Sequence, residues 1–150
     1  MIDAGKIIKL RTGLLAEISD IAAAAWPEEC CGLLIADAES PEVILRFVAA
    51  RNVAIDRQKT FEIDPHVLIA THRSVRQRGE AIIGCYHSHP NGDCQPSKTD
   101  LSRAEEAGFL WLIFATGKNG VDEWKLYRQM PERVDDTAPR YFKTCDIAEA

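Results

Sequence analysis

The stretch Ala81-Ile82-Ile83-Gly84-Cys85-Tyr86-His87-Ser88-His89-Pro90 constrains the fold of this chain more than any other. Its apolar part is short and rich in residues that pack inside, so it reads as a buried strand. If the strand continues through His89, His87 and His89 project from one face, because strand side chains alternate. Ser88 then points the other way. Pro90 cannot continue a central ladder, so the strand ends there. A sheet containing this strand must therefore place two imidazoles side by side where a strand gives way to a loop.

Carboxylates lie on both sides of this strand in the sequence. Downstream, Pro96-Ser97-Lys98-Thr99-Asp100 has the form of a helix start, with Ser97 as the cap and Asp100 at the third helical position. The intervening loop can fold Asp100 back towards the histidines. Far upstream, Pro27-Glu28-Glu29-Cys30-Cys31-Gly32 offers a second acid, Glu29. Two imidazoles and an aspartate are good zinc ligands, and three protein ligands leave a fourth position for water. A nearby glutamate off the metal can take the proton of that water. Each piece alone has a plainer explanation. His-x-His alone occurs on solvated strands, and Asp100 and Ser97 alone make a capping box. Their combination is what favours a metal site at His87, His89 and Asp100.

These residues also resemble a known family. Glu29-x-Cys31-Gly32, then His87-Ser88-His89-Pro90, then Pro96-Ser97-x2-Asp100, is similar to the motif of the JAMM (MPN-plus, JAB) metalloproteases. That motif is a distant glutamate, His-x-His, ten residues and an aspartate, with a serine three before it. The resemblance extends to Arg51-Asn52, to Phe61-Glu62-Ile63-Asp64-Pro65 and to the strand before His87. It implies that His87, His89 and Asp100 bind Zn2+, that Glu29 is the general base and then the acid, and that Ser97 stabilises the oxyanion. It also implies the fold: an α/β JAB/MPN (cytidine-deaminase-like) sandwich, with a mixed curved sheet and a long helix on each face.

The chain's 150 residues are enough for one domain with a real core, and we expect residues 1–150 to form one. A formal charge of -5 disfavours non-specific nucleic-acid binding. The basic cluster Arg73, Arg76 and Arg78 reads as a solvated helix face. No apolar run approaches the ~18 residues needed to cross a bilayer. The N-terminus lacks the pattern of a signal peptide, so a cytoplasmic location is expected. Five cysteines with no zinc-ribbon spacing fit a reducing compartment. Cys94, in the loop between the ligands, reads as an exposed thiol; the alternative is a thiolate that reaches the zinc or is oxidised.

Along the chain, Leu14, Leu15, Ile18, Ile21, Ala22 and Ala25 predict an amphipathic helix over about 12–26. Strands are expected at Cys31 to Ala36, Glu42 to Ala50 and Phe61 to Asp64. Arg51 to Thr60 reads as a polar loop. Pro65 opens a helix to about Gln77, which Gly79 ends. A helix from Ser97 to about Ala107 comes after the loop, closed by Gly108. Phe109 to Ala115 and Val121 to Gln129 form a hairpin around Lys118-Asn119-Gly120. The tail from Glu132 to Ala150 reads as irregular or as one weak helix. Strands and helices interleave without regular alternation, which suggests the mixed sheet independently.

The chemistry expected is amide hydrolysis without a covalent intermediate. A Cys/His peptidase is disfavoured, because no cysteine has an orienting constellation. The resemblance, together with the absence of large insertions, implies a substrate: an amide after the C-terminal Gly-Gly of a ubiquitin-like sulfur-carrier protein of the ThiS/MoaD type. Such a tail could add as a strand at a sheet edge. Two alternatives are a non-catalytic MPN-type scaffold and a zinc amidase acting on small or cell-wall peptides.

Overall fold

The computed structural model describes residues 7–131 and 142–149. Its centre is a six-stranded sheet of order β4-β2-β5-β6-β7-β8. These strands are β2 (Cys31–Asp37), β4 (Arg46–Ala50), β5 (Glu80–His89), β6 (Leu110–Gly117), β7 (Gly120–Gln129) and β8 (Phe142–Thr144). Only β5 and β6 pair in parallel; the other neighbours are antiparallel. A smaller sheet joins β1 (Ile8–Leu10) in parallel to β3 (Val43–Ile44) and β9 (Ile147–Glu149).

Side-chain alternation divides the core in two. On one face of the sheet, Leu34, Tyr86, Leu112, Phe114 and Leu126 pack against Leu14, Ile18 and Ala22 of α1 (Leu14–Ala25). Those three lie four residues apart, one stripe of a helix. On the opposite face, Cys31, Leu33, Ile35, Cys85 and Ile113 pack with Leu68 and Val75 of α2 (Pro65–Arg78). The expected sandwich, one helix on each face, is what forms. At α2 the start and stop signals in the sequence operate as expected. Asp64 accepts from the His66 N–H at 2.9 Å, Pro65 takes the first helical position, and Gly79 turns left-handed with φ 67°. Arg73, Arg76 and Arg78 are exposed on it.

Four expectations need correction. Glu42 to Ala50 is not one strand: β3 and β4 belong to different sheets, separated at Leu45, whose N–H bonds the Ile35 carbonyl. Phe61 to Asp64 makes only an isolated bridge, Asn52 to Ile63. The helix after Ser97, α3 (Lys98–Arg103), stops well short of Ala107. Ala104 leaves helical geometry, is buried, and its carbonyl accepts from the Gln129 side chain, which draws the chain back to the sheet. Gly108 therefore serves a turn at φ 91° rather than a helix end. The tail is not helical where it is described: β8 extends the main sheet and β9 the small one. The rest of that segment, 132–141 and 150, lies outside the described residues. The short β1 has no counterpart among the expected strands; three residues carry too little periodicity. Among the described residues no helix is long and apolar enough to cross a membrane.

Candidate metal centre

The register of β2 against β5 assembles the site. Cys31 lies opposite His87, and beyond it the Cys30 N–H donates to Ser88 Oγ at 2.8 Å while the Ser88 N–H donates to the Cys30 carbonyl. Ser88 therefore turns away from the histidines, as alternation requires. One further step brings Glu29 level with His89, on the face that carries Cys31, His87 and His89. Glu29, His87, His89 and Asp100 are all buried. Glu28 points outward and pairs with Arg57 at 2.9 Å. The structure thus brings together Glu29, His87, His89, Ser97 and Asp100.

Three donor atoms form a tight triangle. His87 Nε2 and His89 Nε2 are 2.9 Å apart, and each is 3.1 Å from Asp100 Oδ2. Donor atoms on a tetrahedral zinc at about 2.0–2.1 Å stand about 3.3 Å from one another, so the triangle fits such an ion with small adjustment. Glu29 approaches from the side: its carboxylate and the two imidazoles each place one donor atom within 4.8 Å of the others. The sets {His87, His89, Asp100} and {His87, His89, Glu29} share the histidines. Of the two carboxylates, Asp100 makes the hydrogen-bond-length contacts to both histidines.

Each group is prepared differently. Ser97 and Asp100 form the expected capping box: Ser97 Oγ accepts from the Asp100 N–H at 3.0 Å, and the Ser97 N–H donates to Asp100 Oδ2 at 2.9 Å. Burial alone would raise the Asp100 carboxyl, but hydrogen bonds from His87 and His89 outweigh it and hold the group well below the usual carboxylate range. Burial pushes the Glu29 carboxyl up to about 7, against the pull of His89. Burial also lowers the His87 imidazole, against the pull of Asp100, and so favours its neutral form. His89 Nδ1 donates to the Asp93 carbonyl at 2.8 Å, which fixes the orientation of the ring and turns Nε2 towards Asp100 and His87. Among the described residues His87 Nδ1 has no such partner; Phe61 stacks on this ring at 4.4 Å and Trp111 meets it edge-on at 5.9 Å.

Those supporting residues had no role assigned from the sequence. The Asp93 carbonyl has no side-chain signature, and an aromatic far from the motif reads simply as core. Cys94 also differs from expectation. It is 1% exposed, its thiol reaches the Glu123 carbonyl at 3.3 Å, and burial raises it to about 11. It is neither an exposed loop thiol nor a reactive thiolate; it pins the ligand loop to the sheet, with help from Tyr127 Oη on its carbonyl. All five cysteines are free. A cleft of about 360 Å³ opens onto the cluster, lined by Glu29, Gln58, Lys59, His89, Asp93 and Ser97. A larger groove, about 490 Å³, runs between β4 and α2 and contains none of the clustered residues.

A mixed-sheet sandwich with two strand histidines, a capping-box aspartate and a buried glutamate beside them defines a metal-dependent hydrolase. The chain belongs to the family described as prokaryotic homologs of the JAB domain, whose profile matches residues 11–127. It is 32% identical over 115 residues to the desampylase of Haloferax volcanii, covering 76% of this chain and 82% of that protein. It is 26% identical over 123 residues to the CysO-cysteine peptidase of Mycobacterium tuberculosis, covering 81% and 82%. A JAB1/MPN domain protein from Archaeoglobus fulgidus shares its fold, with a TM-score of 0.56 and 22% identity over 96% of this chain and 100% of that one. The chain is accordingly a JAB-type peptidase that takes a metal ion.

Proposed function

We propose that the protein is a zinc peptidase that cleaves the amide bond after the C-terminal Gly-Gly of a ubiquitin-like sulfur-carrier protein, with His87, His89 and Asp100 as ligands. Zinc bound there would supply an acidified water and a polarised carbonyl. The observation that carries the reading is the division of labour between two buried carboxyls. Asp100 is held ionised at the histidines, while Glu29 sits beside them with its carboxyl raised to about 7. Buried beside the histidines, with one carboxylate oxygen within 4.8 Å of their donor atoms, Glu29 is placed to accept a proton from a bound water and return it to the leaving amine, as general base and then acid.

Ser97 can serve two functions at once. Its cap uses an oxygen lone pair, since Oγ accepts from the Asp100 N–H. Its hydroxyl hydrogen remains available to a developing oxyanion in the cleft it lines. The carrier substrate is supported by the names of the two relatives, a desampylase and a CysO-cysteine peptidase. It is supported too by the cleft of about 360 Å³ that opens onto Glu29, His89 and Ser97, where an extended tail can lie. A cytoplasmic site of action fits such a partner.

The test compares kcat/KM for one carrier ending Gly-Gly-X with the same carrier ending Gly-Val-X. The Gly-Gly form is cleaved and the Gly-Val form is not, because a branched side chain clashes near the metal. Equal cleavage of both, or rapid cleavage of a generic unstructured peptide, would point instead to a broad amidase.

A further inference from the structure

We propose that Asn52 is a positioning residue for Glu29, fixing the base through its main chain; this rests on Glu29 being the base. Glu29 precedes β2, so no ladder holds it. Its main chain is held instead by the 52–62 segment. The Glu29 N–H donates to the Arg57 carbonyl at 2.8 Å, and the Glu29 carbonyl accepts from Asn52 Nδ2 at 2.9 Å. Both main-chain groups of Glu29 thus point at one loop.

Asn52 is the hub of that loop. Its second Nδ2 hydrogen serves the Thr60 carbonyl at 3.1 Å, and its Oδ1 accepts from the Ala54 N–H at 3.0 Å and the Glu62 N–H at 3.1 Å. All four hydrogen-bonding positions of the carboxamide are used. Two carbonyls on one side and two N–H groups on the other fix its orientation, since a flipped amide would face like groups. Its own backbone is anchored by the bridge to Ile63, the Val53 N–H on the Glu62 carbonyl, and the Asp64 N–H on the Arg51 carbonyl. Asp64 caps α2, so Asn52 registers the base against the helix that packs over β5.

The Glu28–Arg57 pair joins the same two segments but is half-exposed, and exposed pairs hold little. The carboxamide therefore carries the alignment. Displacing a catalytic group by about 1 Å can cost about 10²-fold in rate, which sets the scale of the effect. Glu29 stays chemically intact, and the ligands His87, His89 and Asp100 make no hydrogen bond to Asn52.

The test is a cycle of four full-length, metal-loaded proteins: wild type, Asn52→Asp, Glu29→Gln and the double variant, assayed on a carrier–amino acid conjugate. Asn52→Asp keeps the acceptor for Ala54 and Glu62 but removes both donors. It should retain about one metal and a KM within about twofold, while kcat falls roughly 10- to 100-fold. In the Glu29→Gln background the same change should cost nothing further, because the group it aligns is already gone. Multiplying losses, a loss carried by KM, or lost metal would overturn the assignment. Asn52→Ala, run through the same cycle, decides the matter if Asn52→Asp fails to fold. Undiminished turnover in Glu29→Gln alone overturns the base and the Asn52 role together. Undiminished turnover in Asn52→Asp alone overturns only the latter.

Discussion

Glu28 and Glu29 are chemically identical neighbours in opposite surroundings. Glu28 is half-exposed and paired with Arg57, whereas Glu29 is 5% exposed beside the histidines. Glu29→Gln should keep the metal and lose about 10²-fold or more in kcat. Glu28→Gln should stay within about twofold; metal analysis with steady-state kinetics checks both. The raised Glu29 carboxyl also affects stability when metal is absent. Its value in the fold, about 7, lies above the ordinary 4.5, so the folded state binds more protons between those values. The stabilisation is complete below about 4.5 and is lost as pH rises through 7. Metal-free Glu29→Gln should thus match the wild type near pH 4.5 and exceed it by about 2–3 kcal/mol above pH 7, measured by denaturant melts at several pH values. Ser97→Ala separates two functions of one hydroxyl. Loss of the cap should cost about 0.5–2 kcal/mol, and loss of the oxyanion donor about 10²-fold in kcat. A variant that melts earlier yet turns over normally would leave Ser97 as a cap only.

Strand β5 carries His87 and His89, β2 follows directly after Glu29, and a glycine lets the two strands meet. A Cβ on Gly32 would lie 2.3 Å from the Tyr86 ring, which is fully buried on the α1 face. Gly32 and Tyr86 are register partners, next to the pair Cys31 and His87. Gly32→Ala should therefore destabilise the fold by roughly 1–3 kcal/mol and weaken metal retention, because the strand carrying His87 must shift. An unchanged melting temperature with full metal content would show that the Tyr86 ring has room to move. The short α3 has the opposite property. Its first turn is rigidly specified by the capping box, and its far end is set by Gln129 in β7, a contact no local pattern announces.

Across the whole molecule, His87 and His89 on β5 and Asp100 on α3 converge on one point, so a metal held there, as proposed, would tie the sheet to the helix after it. Chelation should lower the melting temperature of the wild type, with a stabilisation of about 2.7 kcal/mol restored at a hundredfold excess of metal over Kd. The His87→Ala/His89→Ala variant should hold no metal and melt at the same temperature with or without chelator. A chelator-sensitive double variant would place the metal elsewhere. Much of this arrangement was legible without coordinates. Donor types, the shared face of His87 and His89, the cap at Ser97, and the ends of α2 all depend on residues within a few positions of one another, where sterics and hydrogen bonding are local. The family motif added Glu29, which spacing alone could not tie to the histidines. Only the tertiary structure decided the rest. Cys30 and Ser88, 58 residues apart, are bonded because β2 and β5 bury their apolar faces in register, and that register delivers Glu29. The same long-range packing split the 42–50 segment between two sheets, recruited the tail as strands and buried Cys94. Local pattern sets what each segment can be; which segments meet depends on burial summed over the whole chain.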